Sequence, residues 1–201
     1  MKLILASSSP RRRDLLKSIG MEDFEVVPAH LDETPRKKEL PKDLSQRLAL
    51  EKAQKVFKEQ KGSPAFVLAA DTVVACGRRI VPAPESLEEA RACLDLLSGK
   101  SHRVYTALCL ISPEERVWRR LVETRVCFKR LESLEKEAYA QSQEGFGKAG
   151  GYAIQGFAGS FIKQINGSYS GILGLPLFET RNLLMGVGVI SLAKDVSGST
   201  I

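Results

Sequence analysis

Apolar residues recur along this chain with two different spacings, and the spacing changes from one segment to the next. Continuous apolar runs predict buried strands at residues 2–6 and 65–70, and a shorter run predicts a strand at 24–27. Apolar residues three or four positions apart predict helices, because that spacing places them on one helix face. The predicted helices span residues 10–19, 43–58, 86–97, 133–141 and 176–185.

The second half of the chain is richer in strands. Residues 103–111 and 117–128 alternate apolar and polar positions on either side of a Ser-Pro-Glu-Glu turn, which predicts an antiparallel pair. A glycine-dense stretch at 145–159 permits close backbone approach to a ligand or another strand, and one more strand is predicted at 160–165. Strands that alternate with helices early and pair with each other later predict an α/β fold on a mixed sheet.

One predicted strand carries a carboxylate where an apolar residue is expected. The run at residues 65–70 is interrupted by Asp71-Thr72 and resumes at 73–75. An unpaired buried carboxylate is costly, and ligands in α/β sheets bind where strands end. We therefore interpret Asp71 as a functional residue at a strand break.

The length and composition are those of an ordinary globular protein. Of 201 residues, 43% are hydrophobic and 27% charged, so neither disorder nor a fibrous repeat is indicated. Without an internal repeat or a linker-like stretch, residues 1–193 are expected to form one domain and residues 194–201 a flexible tail. The short apolar start, followed at once by Ser-Pro-Arg-Arg-Arg, indicates neither an exported nor a membrane-spanning protein.

Most of the net charge of +6 lies in residues 35–61, which hold nine Lys and Arg against four Asp and Glu. These charges fall mostly at helical spacing, so we interpret them as a solvated helix face rather than a nucleic-acid footprint. A nucleic-acid partner is therefore not expected.

Four cysteines stand singly in the sequence: Cys76, Cys93, Cys109 and Cys127. No C-x-x-C pair or histidine cluster accompanies them, which argues against a zinc site. Free thiols in mostly apolar surroundings are typical of a reducing compartment, so we expect a cytoplasmic protein.

Residues 7–13, Ser-Ser-Ser-Pro-Arg-Arg-Arg, stand between a predicted strand and the helix that begins at Pro10, with Ser9 as the expected N-cap. Hydroxyl groups, free backbone N–H groups, the positive helix end and guanidinium groups would converge there, and these are the parts of a phosphate site. The alternative is an ordinary capped helix with solvated arginines.

Acidic and basic candidates complete this set. Glu33, in a turn, and Asp71 carry the carboxylates that Mg²⁺ or Mn²⁺ prefer, although a solvated turn residue is an ordinary role for Glu33. Lys52 falls on the apolar face of its helix, either as a partner for phosphate or Asp71 or as a lysine that reaches past the core edge to solvent. His30 and His102 have no nucleophile motif near them and are interpreted as structural or surface groups rather than as the base of a nucleophile.

Several motifs occur in order along nearly the whole chain: S-S-S-P-R-R, D-E-T-P, E-K-A, A-A-D-T, L-S-G-K, G-G-Y-A-I-Q-G, I-N-G-S-Y and G-L-P-L. Together they resemble the Maf family of nucleotide pyrophosphatases. The resemblance implies an elongated α/β fold in which two lobes of a mixed sheet surround a central cleft, commonly as a homodimer. It also implies hydrolysis of a nucleoside triphosphate to the monophosphate and pyrophosphate with a divalent cation, Mg²⁺ or Mn²⁺.

The resemblance further assigns roles to individual residues. Asp71 is implied as the general base for water that attacks the α-phosphorus, and Glu33 as a metal-associated acid. These two carboxylates are the implied metal ligands. Ser8, Arg12 and Lys52 are implied as phosphate contacts, an arrangement consistent with phosphoryl transfer by positioning and charge neutralisation.

Three positions mark the branch of the family that hydrolyses dTTP and UTP, and here they are Arg11, Thr72 and Gln155. A branch that acts on 7-methyl-GTP typically carries Trp in place of the first arginine. A pyrimidine preference is thus implied by resemblance. A 5-substituted pyrimidine nucleotide is an equally open substrate, since a pocket rim can tolerate one extra methyl group.

The chain departs from the family at Ala83, where an L-x-K-P pattern usually supplies a lysine and this sequence reads Val-Pro-Ala-Pro. One lost charge-assisted bond costs roughly 1.5–3 kcal/mol, so activity is expected to be weaker unless Arg78 or Arg79 substitutes. This departure and the basic charge leave open a second hypothesis, a nucleotide-binding or nucleic-acid-binding regulator of cell division with weak or no hydrolysis.

Overall fold

The computed structural model describes residues 1–191, so the tail expected at 194–201 lies outside the described residues. Its strands are β1 (Lys2–Leu5), β2 (Glu25–Val26), β3 (Ala65–Cys76), β4 (Arg79–Val81), β5 (Ser101–Ile111), β6 (Val117–Phe128) and β7 (Ile162–Asn166). Its helices are α1 (Pro10–Ser18), α2 (Pro41–Glu59), α3 (Leu87–Leu97), α4 (Ser133–Gln141), α5 (Tyr169–Leu173) and α6 (Leu177–Gly186). Two 3-10 turns, Ala149–Gly151 and Phe157–Phe161, lie in the glycine-dense stretch.

The seven strands form one mixed sheet in the order β2-β1-β3-β5-β6-β7, with β4 paired to β3. β1 runs parallel to β2 and β3, whereas the other pairs are antiparallel. The expected pairing of β5 with β6 is confirmed from Ser101 opposite Cys127 to Ile111 opposite Val117. Strands of 11 and 12 residues extend for roughly 35–40 Å at about 3.3 Å per residue. The elongated mixed α/β sheet is therefore confirmed.

The predicted break in the third strand is wrong. β3 continues through Asp71 and Thr72, which pair with Ala107 and Thr106 of β5. The backbone ladder does not depend on an apolar side chain, and the Asp71 carboxylate has a cationic partner in helix α2, so nothing forces the strand to end.

The opposite edge of β3 is open where Asp71 lies. β1 pairs with β3 only up to Leu5 opposite Leu68, and β4 joins the same edge only from Val74 onward. Within residues 1–191, no strand pairs with residues 69–73 on that side. Asp71 is thus beyond the carboxyl end of β1, which is where α/β sheets bind ligands, although it is in the middle of its own strand.

Side chains of β3 alternate between the two faces of the sheet, as the period of a strand requires. Val67 packs in the cluster that includes α2, and Leu68 packs in the cluster that includes α1 and α6. By the same alternation Asp71 faces α2 and Thr72 faces α1. A further cluster lies at the other end of β3, where Val74 packs with α3 and α4. The open edge lies between these cores.

Two elements were not predicted from the sequence, and one helix begins earlier than expected. β4 has 3 residues and α5 has 5, too few for a periodicity to appear. Helix α2 begins at Pro41 rather than at residue 43, which suits proline because the first helical position needs no N–H donor.

The basic stretch 35–61 is partly neutralised by its own acids. Arg47 bonds to Glu39 at 2.7 Å and to Glu51 at 2.9 Å, and Arg36 reaches Glu51 at 3.0 Å. These ion pairs attach the loop before α2, which carries Arg36 and Glu39, to the helix. Across residues 1–191, no helix combines the length and apolar character needed to cross a membrane.

Candidate active site

A cavity of about 320 Å³ lies at the open edge of β3, with Asp71 and Thr72 in its lining. Residues 6–9 and the start of α1 form one part of the wall, and residues 172–174 form another. Ala83, residues 147–149 and Tyr152 complete it from the other end of the sheet. Segments from all along the chain therefore meet at one cleft.

Lys52 connects two carboxylates at this cavity. Its Nζ donates to Asp71 Oδ1 at 2.6 Å and lies 2.8 Å from Glu33 Oε1. Lys52 and Asp71 are both buried, at 8% and 4% exposure, whereas the Glu33 side chain is half exposed. The cation on the apolar face of α2 is thus a buried partner of Asp71 and not a lysine that extends to solvent.

Burial raises the pKa of the Asp71 carboxyl above its ordinary value, while the positive charges of Lys52 and Arg12 oppose the shift. The negative charge of Glu33 raises this pKa further. A carboxylate whose pKa is raised accepts a proton more readily than an ordinary aspartate does.

Arg12 is fixed by three neutral acceptors. Its Nε donates to the Gly174 carbonyl at 2.8 Å, Nη1 to Ser7 Oγ at 3.2 Å and Nη2 to Thr72 Oγ1 at 3.3 Å. Burial lowers the pKa of the Arg12 guanidinium, and the charges of Asp71 and Glu33 oppose that shift. The positive charge is held in place in the cavity wall without a direct carboxylate bond among the described contacts.

The start of α1 supplies backbone donors to the same wall. Ser9 is the N-cap residue, but within the described part of the chain its hydroxyl makes no capping hydrogen bond, so the expected capping by that side chain is wrong. Its own N–H donates to Ser7 Oγ at 3.2 Å, which turns the loop inward. The uncapped first-turn N–H groups and the helix dipole favour an anion at this position.

Seven of the eight residues predicted for the site line the cavity: Ser8, Arg11, Arg12, Glu33, Lys52, Asp71 and Thr72. Ser8 is exposed there, and burial lowers the pKa of the Arg11 guanidinium. Gln155 is the exception, because it is exposed on its loop and is not part of the lining. Its role in substrate preference stays a prediction.

Among the polar side chains of the lining, the sequence interpretation missed those of Lys148 and Tyr152. Lys148 is the single cation in the stretch 145–159, which is the signal that could have identified it. Neither Arg78 nor Arg79, the substitutes considered for the missing lysine at Ala83, lines the cavity.

Tyr152 is positioned by His102, which is structural, as expected. The His102 Nε2 atom and the Tyr152 hydroxyl are 2.8 Å apart, and both rings pack edge-on against Phe128. Burial lowers the pKa of His102 to about 4, so the imidazole is neutral at physiological pH. This buried pair fixes the Tyr152 ring where it borders the cavity.

The donor set suits a hard divalent cation. Glu33 and Asp71 present carboxylate oxygens to one cationic atom, Lys52 Nζ. Within residues 1–191, no group of three or more His, Cys, Asp and Glu side chains is arranged to hold a metal. One or two carboxylates completed by substrate phosphates and water are the usual protein contribution to a Mg²⁺ site, so the two acids fit this chemistry.

Known proteins match this chain over most of its length. The family model "Maf-like protein" matches residues 2–187. A dTTP/UTP pyrophosphatase of Mesorhizobium japonicum is 57% identical over 191 residues, 93% of this chain and 92% of that protein. A protein of the same name from Paramagnetospirillum magneticum is 58% identical over 186 residues, 92% of this chain and 97% of that protein.

A solved structure of the Staphylococcus aureus Ham1 protein aligns at a TM-score of 0.47 with 15% identity, over 64% of this chain and 72% of that chain. This similarity is too weak to support an inference. The family match and the high identity of the relatives are sufficient by themselves: this chain belongs to the family of Maf-like proteins.

Proposed function

We propose that this protein is a nucleoside triphosphate pyrophosphatase that hydrolyses dTTP and UTP to the monophosphate and pyrophosphate, with a divalent metal ion. One observation carries the proposal: the buried Asp71 carboxylate and the fixed Arg12 guanidinium line the same cavity at the open edge of β3. Relatives more than half identical to the chain bear the name dTTP/UTP pyrophosphatase, which supports the same reaction.

The triphosphate tail would bind between the start of α1 and Arg12. Charged side chains in the lining comprise four cations, Arg11, Arg12, Lys52 and Lys148, and two acids, Glu33 and Asp71, so the cavity has a net charge of +2. Phosphoryl transfer depends mostly on such positioning and on electrostatic stabilisation of the transferred group. The hydroxyl of Ser8 adds a donor at the mouth.

Asp71 would act as the general base. Lys52 occupies Oδ1, which leaves Oδ2 for a water molecule. As the water oxygen bonds to the α-phosphorus, its proton passes to the carboxylate and the bond from the α-phosphorus to the bridging oxygen breaks, so that pyrophosphate leaves. The role of Lys52 is to orient the carboxylate and to contact phosphate oxygens.

Glu33 and Asp71 would hold the metal ion, Mg²⁺ or Mn²⁺. When bound, such an ion neutralises charge on the phosphate oxygens. Lys52 Nζ now lies between the two carboxylates. Lys52 would keep its bond to Asp71 Oδ1 and exchange its contact with the half-exposed Glu33 for a phosphate oxygen, since a lysine ammonium has three donors.

Substrate preference is the finer part of the proposal. Arg11 and Thr72 line the cavity. Thr72 Oγ1 accepts a hydrogen bond from Arg12, so a residue implied in selection of the nucleobase contacts one implied in phosphate binding. A 5-substituted pyrimidine triphosphate remains a candidate beside dTTP and UTP. Comparison of kcat/KM for dTTP, UTP and 5-substituted analogues distinguishes them.

The proposed setting is a homodimer in the cytoplasm. All four cysteines are free thiols, which supports a reducing compartment. Two large side chains, Phe157 and Phe178, are 61% and 75% exposed and are candidates for a contact between subunits. Light scattering of the purified protein and fractionation of cells that express it test these two statements.

The central experiment is a triphosphate panel. Purified protein is mixed with each nucleoside triphosphate and Mg²⁺ or Mn²⁺, and pyrophosphate release is measured with and without a chelator. We expect release from dTTP and UTP that stops with the chelator and falls by about 10²–10⁴-fold in Asp71→Asn, the range for loss of a general base. Absence of metal-dependent release from every triphosphate would overturn the proposal.

A further inference from the structure

Ala83 and Lys148 are neighbours on the cavity wall. The Gly147 N–H donates to the Pro84 carbonyl at 3.0 Å and the Gly150 N–H to the Pro82 carbonyl at 3.1 Å. These two bonds bracket both residues, so the segment that carries Lys148 is tied to the segment that carries Ala83. Both residues line the cavity.

The Lys148 segment rests on a firm support. Gly150 has φ +83, and a Cβ at this position would approach the Val74 side chain of β3 to 2.9 Å. The backbone therefore lies directly against the strand that carries Asp71. A cation attached to this segment has a defined position relative to the cavity.

The Lys148 ammonium is bonded to a neutral group. Its Nζ donates to the Glu144 main-chain oxygen at 2.5 Å. The Glu144 carboxylate bonds instead to the Tyr139 hydroxyl at 3.1 Å and the Phe157 N–H at 3.0 Å. Within the part of the chain that the structure describes, no carboxylate lies within 4.0 Å of the Lys148 ammonium.

A second cation lies close enough to affect Lys148. Burial lowers the pKa of the Lys148 ammonium, and the charge of Arg11 lowers it further, against the opposing charge of Glu144. Among the described residues neither Lys148 nor Arg11 has a carboxylate within 4.0 Å, and two cations that face one cavity in this way are stabilised by an anion. The carbonyl bond of Lys148 can be exchanged for a phosphate oxygen at little cost, because charge-assisted bonds to phosphate are stronger than bonds to a neutral acceptor.

We propose that Lys148 binds the phosphate tail of the substrate and supplies the positive charge that the wall lacks at Ala83. This inference rests on the proposed function for the identity of the ligand. It replaces the expectation that Arg78 or Arg79 compensates for Ala83. With Lys148 in this role, the cavity wall carries the charge that a lysine at residue 83 would supply.

Five proteins test the inference: wild type, Lys148→Met, Ala83→Lys, the double variant and a control. Methionine retains the length and apolar stem of the lysine, and Lys163→Met on β7 is the matched control because Lys163 is exposed and outside the cavity lining. Two quantities are measured for each, kcat/KM with dTTP and Mg²⁺, and the Kd of inorganic tripolyphosphate by titration calorimetry. Thermal unfolding checks that every variant is folded.

We expect Lys148→Met to weaken both quantities by about tenfold or more, as loss of one charge-assisted bond predicts. Ala83→Lys in the same protein should restore most of that loss, while Lys163→Met should match wild type. Wild-type values for both quantities in a folded Lys148→Met protein would overturn the inference, as would an equal loss in Lys163→Met.

The design separates this inference from the proposed function. If wild type releases no pyrophosphate but tripolyphosphate binding still depends on Lys148, the phosphate contact is supported and the proposed reaction fails. If wild type hydrolyses dTTP and Lys148→Met changes neither measurement, the reaction stands and the role of Lys148 fails.

Discussion

Lys52 Nζ lies 2.6 Å from Asp71 Oδ1. This buried ion pair joins helix α2 to strand β3, on which the helix packs. The pair forms because β3 directs Asp71 toward α2 and α2 directs Lys52 toward the sheet. Glu33 joins them through the same ammonium at 2.8 Å, from a loop that the packing of α2 brings to the cavity. The position of the proposed general base is therefore set by the core of the domain.

Removal of this lysine should destabilise the fold. In Lys52→Met, Asp71 is left buried without its closest cation, and breaking a buried pair typically lowers the free energy of unfolding by about 3–5 kcal/mol. Urea unfolding at pH 7 measures the loss. The double variant with Asp71→Asn should regain much of it, because the unpaired charge is gone. A double variant no more stable than Lys52→Met alone would contradict this account.

His102 should make stability depend on pH in the acid range. Its pKa is lowered to about 4 in the folded protein, against about 6.5 in an unfolded chain. The native state binds fewer protons, so this contribution is fully present above pH 6.5 and is lost as the pH falls toward 4, by roughly 3 kcal/mol.

The comparison of wild type with His102→Gln isolates that contribution. Urea unfolding between about pH 7 and 4 should show a steeper fall in the free energy of unfolding for wild type than for the variant. Parallel curves would show that His102 titrates normally in the folded protein.

The planar geometry of the Arg12 guanidinium, as well as its charge, should contribute to activity. Arg12→Lys keeps the charge but loses the simultaneous bonds to Gly174, Ser7 and Thr72, so we expect kcat/KM with dTTP to fall by about 10–100-fold. Arg13→Lys is the matched control, since Arg13 is exposed and outside the cavity lining. Equal kinetics in the two variants would remove the argument for geometry.

Gly174 should be intolerant of a side chain. It has φ +115, and an added Cβ would lie 3.2 Å from Arg12 Nε. Gly174→Ala should lower the free energy of unfolding by about 1–3 kcal/mol and raise KM, because the backbone is strained and Arg12 must move. Gly186→Ala, at the end of α6 with nothing within 4 Å of the new Cβ, should do neither. Thermal unfolding and steady-state kinetics of both variants provide the check.

Local patterns were enough to predict much of this protein. The predicted bounds of α4 at residues 133–141 agree with the structure, and so does the pairing of the two long strands, because helical and strand periodicity are properties of neighbouring residues. A carboxylate in an apolar run and a lysine on an apolar helix face indicated Asp71 and Lys52. Burial of either charge without a partner is costly, and for this reason both residues could be predicted as functional candidates from the sequence.

The spatial relations between distant segments were decided by tertiary structure alone. The sequence predicted a break in the strand at Asp71. In the structure the strand continues, and the open edge beside Asp71 exists because β1 ends before that residue and β4 begins after it on the same edge of β3. Lys148 gained its place beside Ala83 from two backbone bonds between segments about sixty residues apart in sequence. The periodicity of apolar residues predicts on which face of its own helix or strand a residue lies. Contacts between two elements depend instead on how those elements pack in the core, and neighbouring residues in the sequence do not encode that packing.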